Sequence, residues 1–99
     1  MPQVSRHSDI AITGHKCTAK VPVIATQFTV FANATPVARM ADPTQSHTIR
    51  RGDECKGHDA QINIGSSTVF AEGIPVARVG DSTDAGAMIM GAPNVFAGG

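Results

Sequence analysis

Residues 29–42 read TVFANATPVARMAD, and residues 68–81 read TVFAEGIPVARVGD. Nine of the fourteen aligned positions are identical, without a gap: Thr29/Thr68, Val30/Val69, Phe31/Phe70, Ala32/Ala71, Pro36/Pro75, Val37/Val76, Ala38/Ala77, Arg39/Arg78 and Asp42/Asp81. One supersecondary unit is used twice, and that governs how the flanking sequence is read. Val4-Ser5-Arg6-His7-Ser8-Asp9 aligns with Val37 to Asp42 and with Val76 to Asp81, while Gly91-Ala92-Pro93-Asn94-Val95-Phe96 aligns with Gly65 to Phe70. The chain thus makes three passes, Asp9 to Phe31, Asp42 to Phe70 and Asp81 to Phe96, which predicts internal pseudo-threefold symmetry. A monomer with such an axis can cap a true trimer.

Within each pass the local signals are those of short strands. Six Pro, ten Gly and many β-branched residues leave no long stretch of helical periodicity. Val21 to Phe31, Gln61 to Phe70 and Ala87 to Phe96 are the expected first strand regions, with Val37-Ala38-Arg39 and Val76-Ala77-Arg78 as return strands. Asn33-Ala34 and Glu72-Gly73 lie between them as hairpin turns. Phe31, Phe70 and Phe96, at equivalent places, are expected to meet as core aromatics near the pseudo-axis. The recurring Arg-x-x-Asp is read as structural, because catalytic sets do not repeat with a fold. Asp9, Asp42 and Asp81 can accept backbone hydrogen bonds at the turn after each strand.

The 99 residues make one expected domain, residues 1–99. A chain of this length buries only roughly 60–65 % of its unfolded surface, so a staple beyond the core is expected. Eight basic and eight acidic residues balance, which argues against nucleic acid or an anionic membrane as the binding partner. MPQVSRHSDIAITG lacks the apolar core of a signal peptide, so synthesis in the cytoplasm is expected, and any exit from the cell is by another route.

Residues 10–20 and 43–60 are rich in His, Cys, Thr, Gly and charge, and read as loops gathered at one end. His15 and Cys17 form a His-x-Cys pair, Cys55 and His58 a Cys-x-x-His pair, and His47 precedes the second. Zinc takes four such ligands in a tetrahedron. The alternatives are a Cys17–Cys55 disulfide, or surface histidines with buried thiols. His7, at the repeat position of Met40 and Val79, reads as a packing residue rather than a ligand.

Pro36-Val37-Ala38-Arg39 and Pro75-Val76-Ala77-Arg78 resemble the proline-alanine-alanine-arginine motif of PAAR-repeat proteins. Gly65 to Phe70 and Gly91 to Phe96 are similar to that family's Gly-Ser-Pro-Asn-Val-Phe strand, and Gly14-His15-Lys16-Cys17 to its Ser-Gly-His-Gly-Cys loop. The chain departs at Thr26-Gln27-Phe28, where the family has Gly-Ser-Pro, at Asn33-Ala34 in place of Asn-Gly, and at Ala41 in place of Gly.

The resemblance implies an all-β fold, a small conical β-prism of short strands and hairpins with loops pinned by a metal at the tip. It implies one structural zinc held by three histidines and a cysteine, which carries onto His15, His47, Cys55 and His58, with Cys17 as competitor for the sulfur position. It also implies a role: a spike-tip protein, one copy on the blunt end of a trimeric β-helical spike of a type VI secretion machine, sharpening it for transient contact with a target membrane. A contractile phage tail, and an adaptor recruiting effector proteins, are the related readings. On the first two readings the chain leaves the cell on the spike or resides in the virion tail. Thr29-Val30, Thr68-Val69 and Asn94-Val95 are the expected elements near the docking face. The rival from another class is a zinc hydrolase with Glu54 as base. A site closed by four protein ligands opposes it, and the chain is expected not to be an enzyme.

Overall fold

The three copies of the Val-x-Arg segment pair with one another in a closed ring. In the computed structural model, which describes residues 1–99, Arg6 bridges Val37, Arg39 bridges Val76 and Arg78 bridges Val4. The bonds at the centre follow the same cycle. Ala38 N donates to Ser5 O at 3.0 Å, Ala77 N to Ala38 O at 2.9 Å, and Ser5 N to Ala77 O at 2.9 Å. Each segment uses its donor on one neighbour and its acceptor on the other, so no edge is left open.

An Asp turns the chain after each segment. The carboxylates of Asp9, Asp42 and Asp81 accept from the backbone N of Arg6, Arg39 and Arg78 at 2.7, 2.7 and 2.8 Å. The residue before each Asp is left-handed: Ser8 at φ 70°, Ala41 at 74° and Gly80 at 94°. The corner therefore keeps one geometry whether or not glycine occupies it, and Ala41 holds it at a cost of about 1–2 kcal/mol.

The fold is all-β. Its ten strands are β1 (Ile10–Ile12), β2 (Lys20–Pro22), β3 (Phe31–Ala32), β4 (Thr35–Pro36), β5 (His47–Arg51), β6 (Glu54–His58), β7 (Phe70–Ala71), β8 (Ile74–Pro75), β9 (Ser82–Thr83) and β10 (Gly86–Met88). One sheet runs β2-β1-β10-β9, and β3-β4, β5-β6 and β7-β8 are separate antiparallel hairpins. The turns Asn33-Ala34 and Glu72-Gly73 join β3 to β4 and β7 to β8, all four residues at positive φ.

The long strand regions expected before β4 and β8 are broken. Gln27 Oε1 accepts from Thr29 N and Val30 N at 3.0 and 2.8 Å, and Ser66 Oγ accepts from Thr68 N and Val69 N at 3.2 and 3.0 Å. A side chain takes the place of a ladder partner, and the strand bends there.

The interior is made of small residues. One cluster holds Val4, Ala32, Val37, Ala71, Val76, Ala92 and Ala97; the next holds Ala11, Val23, Ala38, Ile62, Ala77 and Met88. The aromatics are not in it, contrary to expectation. Phe31, Phe70 and Phe96 are 50, 53 and 47 % exposed, and Phe28 is 67 % exposed. Where the three passes of the chain meet, the inward positions of these segments are taken by Ala32, Ala71 and Ala97. Strand alternation then turns each preceding Phe outward.

The segment 43–60, read as a loop, contains the longest hairpin. β5 pairs β6 with His47 opposite His58 and Arg51 opposite Glu54. Neither strand contributes to an apolar cluster, and His47 is the one buried residue on either. The molecule is elongated, 41 × 23 × 21 Å.

Candidate metal centre

Each pass sends a differently built connection beyond the second apolar cluster, and their polar ends converge. The first carries His15, between β1 and β2. The second is the β5–β6 hairpin, whose paired ends are His47 and His58. The third is the two-residue turn Asp84-Ala85 between β9 and β10, with Asp84 at φ 56°, a conformation Asp tolerates.

Two glycines let the first and third connections touch. A Cβ on Gly14 would lie 2.3 Å from the Ala85 carbonyl oxygen, and one on Gly86 would lie 2.0 Å from that of Ile12. Ala85 N donates to Thr13 O at 2.9 Å across this contact. The residue after Gly14 is thereby set against the residue before Ala85, which places His15 on Asp84.

The histidines surround the carboxylate. His15 Nε2 and His47 Nε2 lie 2.8 and 2.9 Å from Asp84 Oδ2, and His58 Nε2 lies 3.3 Å from Asp84 Oδ1. His15 and His47 stack at 5.2 Å between ring centroids with 8° between planes, and His58 stands edge-on to both. The Asp84 side chain is 7 % exposed. Burial works to raise its pKa, but hydrogen bonds from His15, His58 and His47 and the charge on His15 outweigh it, and the carboxyl sits below its ordinary value.

The tautomers show what the cluster can hold. His15 Nδ1 faces Lys16 O at 3.0 Å, and His47 Nδ1 faces Gln45 O at 2.8 Å. Carbonyl oxygens only accept, so these Nδ1 atoms carry a proton; a ring protonated on Nε2 as well donates to Asp84, and a ring that gives up that second proton presents an Nε2 lone pair inward. The Nε2 atoms of His15 and His47 are 3.3 Å apart, and both face the Asp84 carboxylate. Acceptors turned on one another need a proton or a cation between them. Backbone carbonyls fixing Nδ1–H are the usual outer partners of metal-binding imidazoles. One donor atom each from His15, His47, His58 and Asp84 lies within 4.8 Å of the others, close enough to share one metal ion.

Cys55, expected as the sulfur ligand, is not in this group. Its Sγ is bonded to Cys17 Sγ, with the Cα atoms 5.9 Å apart. Cys17 and Cys55 therefore form the disulfide that their count allowed, and an oxygen of Asp84 stands where the sulfur was expected. Asp84 was missed because Ser-Thr-Asp-Ala-Gly reads as a plain turn. The available signal was its position, since it lies in the third pass at the place of the two histidine-bearing segments. Glu54, the candidate base of the hydrolase reading, pairs with Lys56 at 2.7 Å. It stands four residues along the hairpin from His58, about 13 Å away. His7 is also apart, its Nδ1 accepting from Ala25 N at 3.1 Å.

A comparison with curated proteins returned no match. The family model described as PAAR motif matches residues 13–91, a span that includes all three connections and both complete Pro-Val-Ala-Arg segments. That motif is associated with structural, non-enzymatic proteins at the spike tip of type VI secretion and related contractile systems. With four-fifths of its length matched by that model, the chain belongs to the PAAR-motif family.

Proposed function

We propose that this chain is the tip of a contractile injection spike: one copy docks on the blunt end of a trimeric β-helical spike protein and sharpens it for passage through a target membrane. The observation that carries this is the outward placement of Phe31, Phe70 and Phe96. Three repeat-equivalent aromatics, each about half-exposed, directly precede Ala32, Ala71 and Ala97 of the apolar cluster, in a molecule whose Val-x-Arg segments pair cyclically. Val30, Val69 and Phe28 are exposed as well. An apolar surface of this kind marks an interaction site. Its threefold recurrence suits a partner that presents the same strand end three times. Chain order puts the Phe residues beside the first apolar cluster and the histidines beyond the second, so docking and tip functions occupy different ends.

At the other end, one metal ion held by His15, His47, His58 and Asp84 is the structural staple. Zinc is the ion we assign, since imidazole and carboxylate suit it and four protein ligands make a closed site. When bound, the cation neutralises the carboxylate and fixes three connections that have no apolar core of their own. Made in the cytoplasm, the chain leaves on the spike of a secretion machine or resides in the tail of a phage, and effector cargo is compatible with either.

The test is co-purification with the trimeric spike protein of the same system, with the mass of the complex measured. One wild-type chain per trimer is expected. Replacing Phe31, Phe70 and Phe96 together by Asp should weaken binding at least about a hundredfold, as for loss of interface anchors. Undiminished binding by that variant, or three chains per trimer, would overturn the docking model.

A further inference from the structure

The β5–β6 hairpin adds nothing to either apolar cluster, so something else must hold it. Two attachments to the first connection do so. Thr18 N donates to Thr48 O, and Thr48 N donates to Thr18 Oγ1, both at 3.1 Å. The Cys17–Cys55 bond is the second. Cys17 lies two residues after His15, and Cys55 lies three residues before His58. Along the ladder Cys55 is opposite Arg50, three pairs out from the His47–His58 pair. The disulfide and the histidine cluster therefore close the same two segments on each other at neighbouring points. Closing one raises the effective concentration of the groups that close the other.

We propose that the Cys17–Cys55 disulfide is a redox-controlled positioning element of the metal centre. The oxidised chain binds zinc at least about tenfold more tightly than the chain without the bond, because His15 is already held against the hairpin. This rests on reading His15, His47, His58 and Asp84 as the metal site. Linkage then requires the reverse effect: zinc shifts the thiol–disulfide equilibrium toward the disulfide by the same factor. The redox step is ordinary exchange with glutathione disulfide. The two cysteine thiols lose two electrons and two protons, a Cys17–Cys55 bond forms, the glutathione S–S bond breaks, and two glutathione thiols leave. A chain passing from a reducing to an oxidising compartment would tighten its own metal centre.

Such coupling needs a metal site that does not use the thiols, and the Asp84 carboxylate provides it. If instead Cys55 ligated the metal, zinc would stabilise the thiolate and oppose oxidation. The two arrangements predict opposite signs.

Zinc affinity is measured by competition with a chromophoric chelator on the oxidised chain and on Cys17→Ser/Cys55→Ser, with circular dichroism as the folding check. At least tenfold tighter binding by the oxidised chain is expected. Equal affinities would overturn the coupling while leaving the metal site intact. Absence of zinc binding by the oxidised chain would overturn the metal reading itself. Should the double variant fail to fold, the wild-type chain is equilibrated in glutathione buffers with and without buffered free zinc. A disulfide fraction that rises with zinc supports the proposal, and one that falls or stays constant overturns it.

Discussion

The ring and the tip solve the same problem, joining three passes of one chain, by opposite means. In the ring, equivalent residues make equivalent bonds: each central residue, Ser5, Ala38 or Ala77, donates to one neighbour and accepts from the other. In the tip, the three passes contribute one imidazole, two imidazoles and a carboxylate, and no two connections are alike. A ring can be closed by repetition because backbone groups are the same in every copy. A coordination shell around one ion needs side chains at particular points, and copies of one loop would crowd them. The ring is thus fastened by main chain and small apolar residues, the other end by a histidine–aspartate cluster and one covalent bond.

The strongest test of this division is metal removal. A structural zinc contributes about 10–16 kcal/mol in finger peptides that fold only with metal, whereas here the ring has its own core. Chelation, or His47→Ala, should therefore raise amide exchange in β5 and β6 by about a hundredfold or more, while the Ser5, Ala38 and Ala77 amides stay protected. Equal loss of protection in both regions would show that they are one cooperative unit.

Next in size are the Arg corners, which are less uniform than the backbone they support. Arg78 grips both oxygens of Asp81, at 3.1 and 3.0 Å. The Arg39 guanidinium, by contrast, makes no direct bond to the Asp42 side chain, which Arg39 holds only through its backbone N. Thr26 stands between them, accepting from Arg39 at 3.0 Å and donating to Asp42 Oδ1 at 2.5 Å, and Arg39 Nε is left buried without a partner. Gly65 and Gly91 occupy the positions equivalent to Thr26, with no side chain to intervene. Arg78→Ala, which strands a buried carboxylate, should cost about 3–5 kcal/mol in urea denaturation. Arg39→Ala should cost less, about 1–3 kcal/mol. The reverse order would mean that the Thr26 relay is the stronger joint.

A smaller effect is expected where ring and tip meet. Gly14→Ala drives a Cβ into the Ala85 carbonyl at a left-handed residue, and should cost about 2 kcal/mol while weakening metal binding through His15. If stability falls with metal affinity unchanged, Gly14 serves packing alone. The smallest is a gain: Ala34, at φ 63° in the β3–β4 turn, should yield about 0.5–1 kcal/mol on replacement by Gly. Thermal denaturation reads that change, and a loss would show that the Ala34 methyl makes a contact worth more than its strain.

The ring was legible in the sequence for the reason that it is repetitive. Val37-Ala38-Arg39 and Val76-Ala77-Arg78 announce one another, and the Asp corners follow at fixed spacing. What repetition does not reveal is which face of a strand looks inward. Phe31 beside Ala32 reads as core by hydrophobicity, yet where the three passes meet it is the alanine that is buried and the Phe that is half-exposed. At the tip, His15, His47 and His58 could be picked out by type, and the structure gathers them. The fourth position could not be read, because spacing does not say whether Cys17 and Cys55 face an ion or each other. The hairpin β5–β6 was hidden too: HTIRRGDECKGH carries no apolar alternation, since the contacts of His47 and His58 with Asp84 and a disulfide hold it in place of a core.

The most direct test is X-ray absorption at the zinc edge on the oxidised wild-type chain. The account predicts a closed shell of three nitrogens from His15, His47 and His58 and oxygen from Asp84, with no sulfur. A sulfur scatterer at about 2.3 Å would contradict it, placing Cys55 or Cys17 on the metal and dissolving the bond between them.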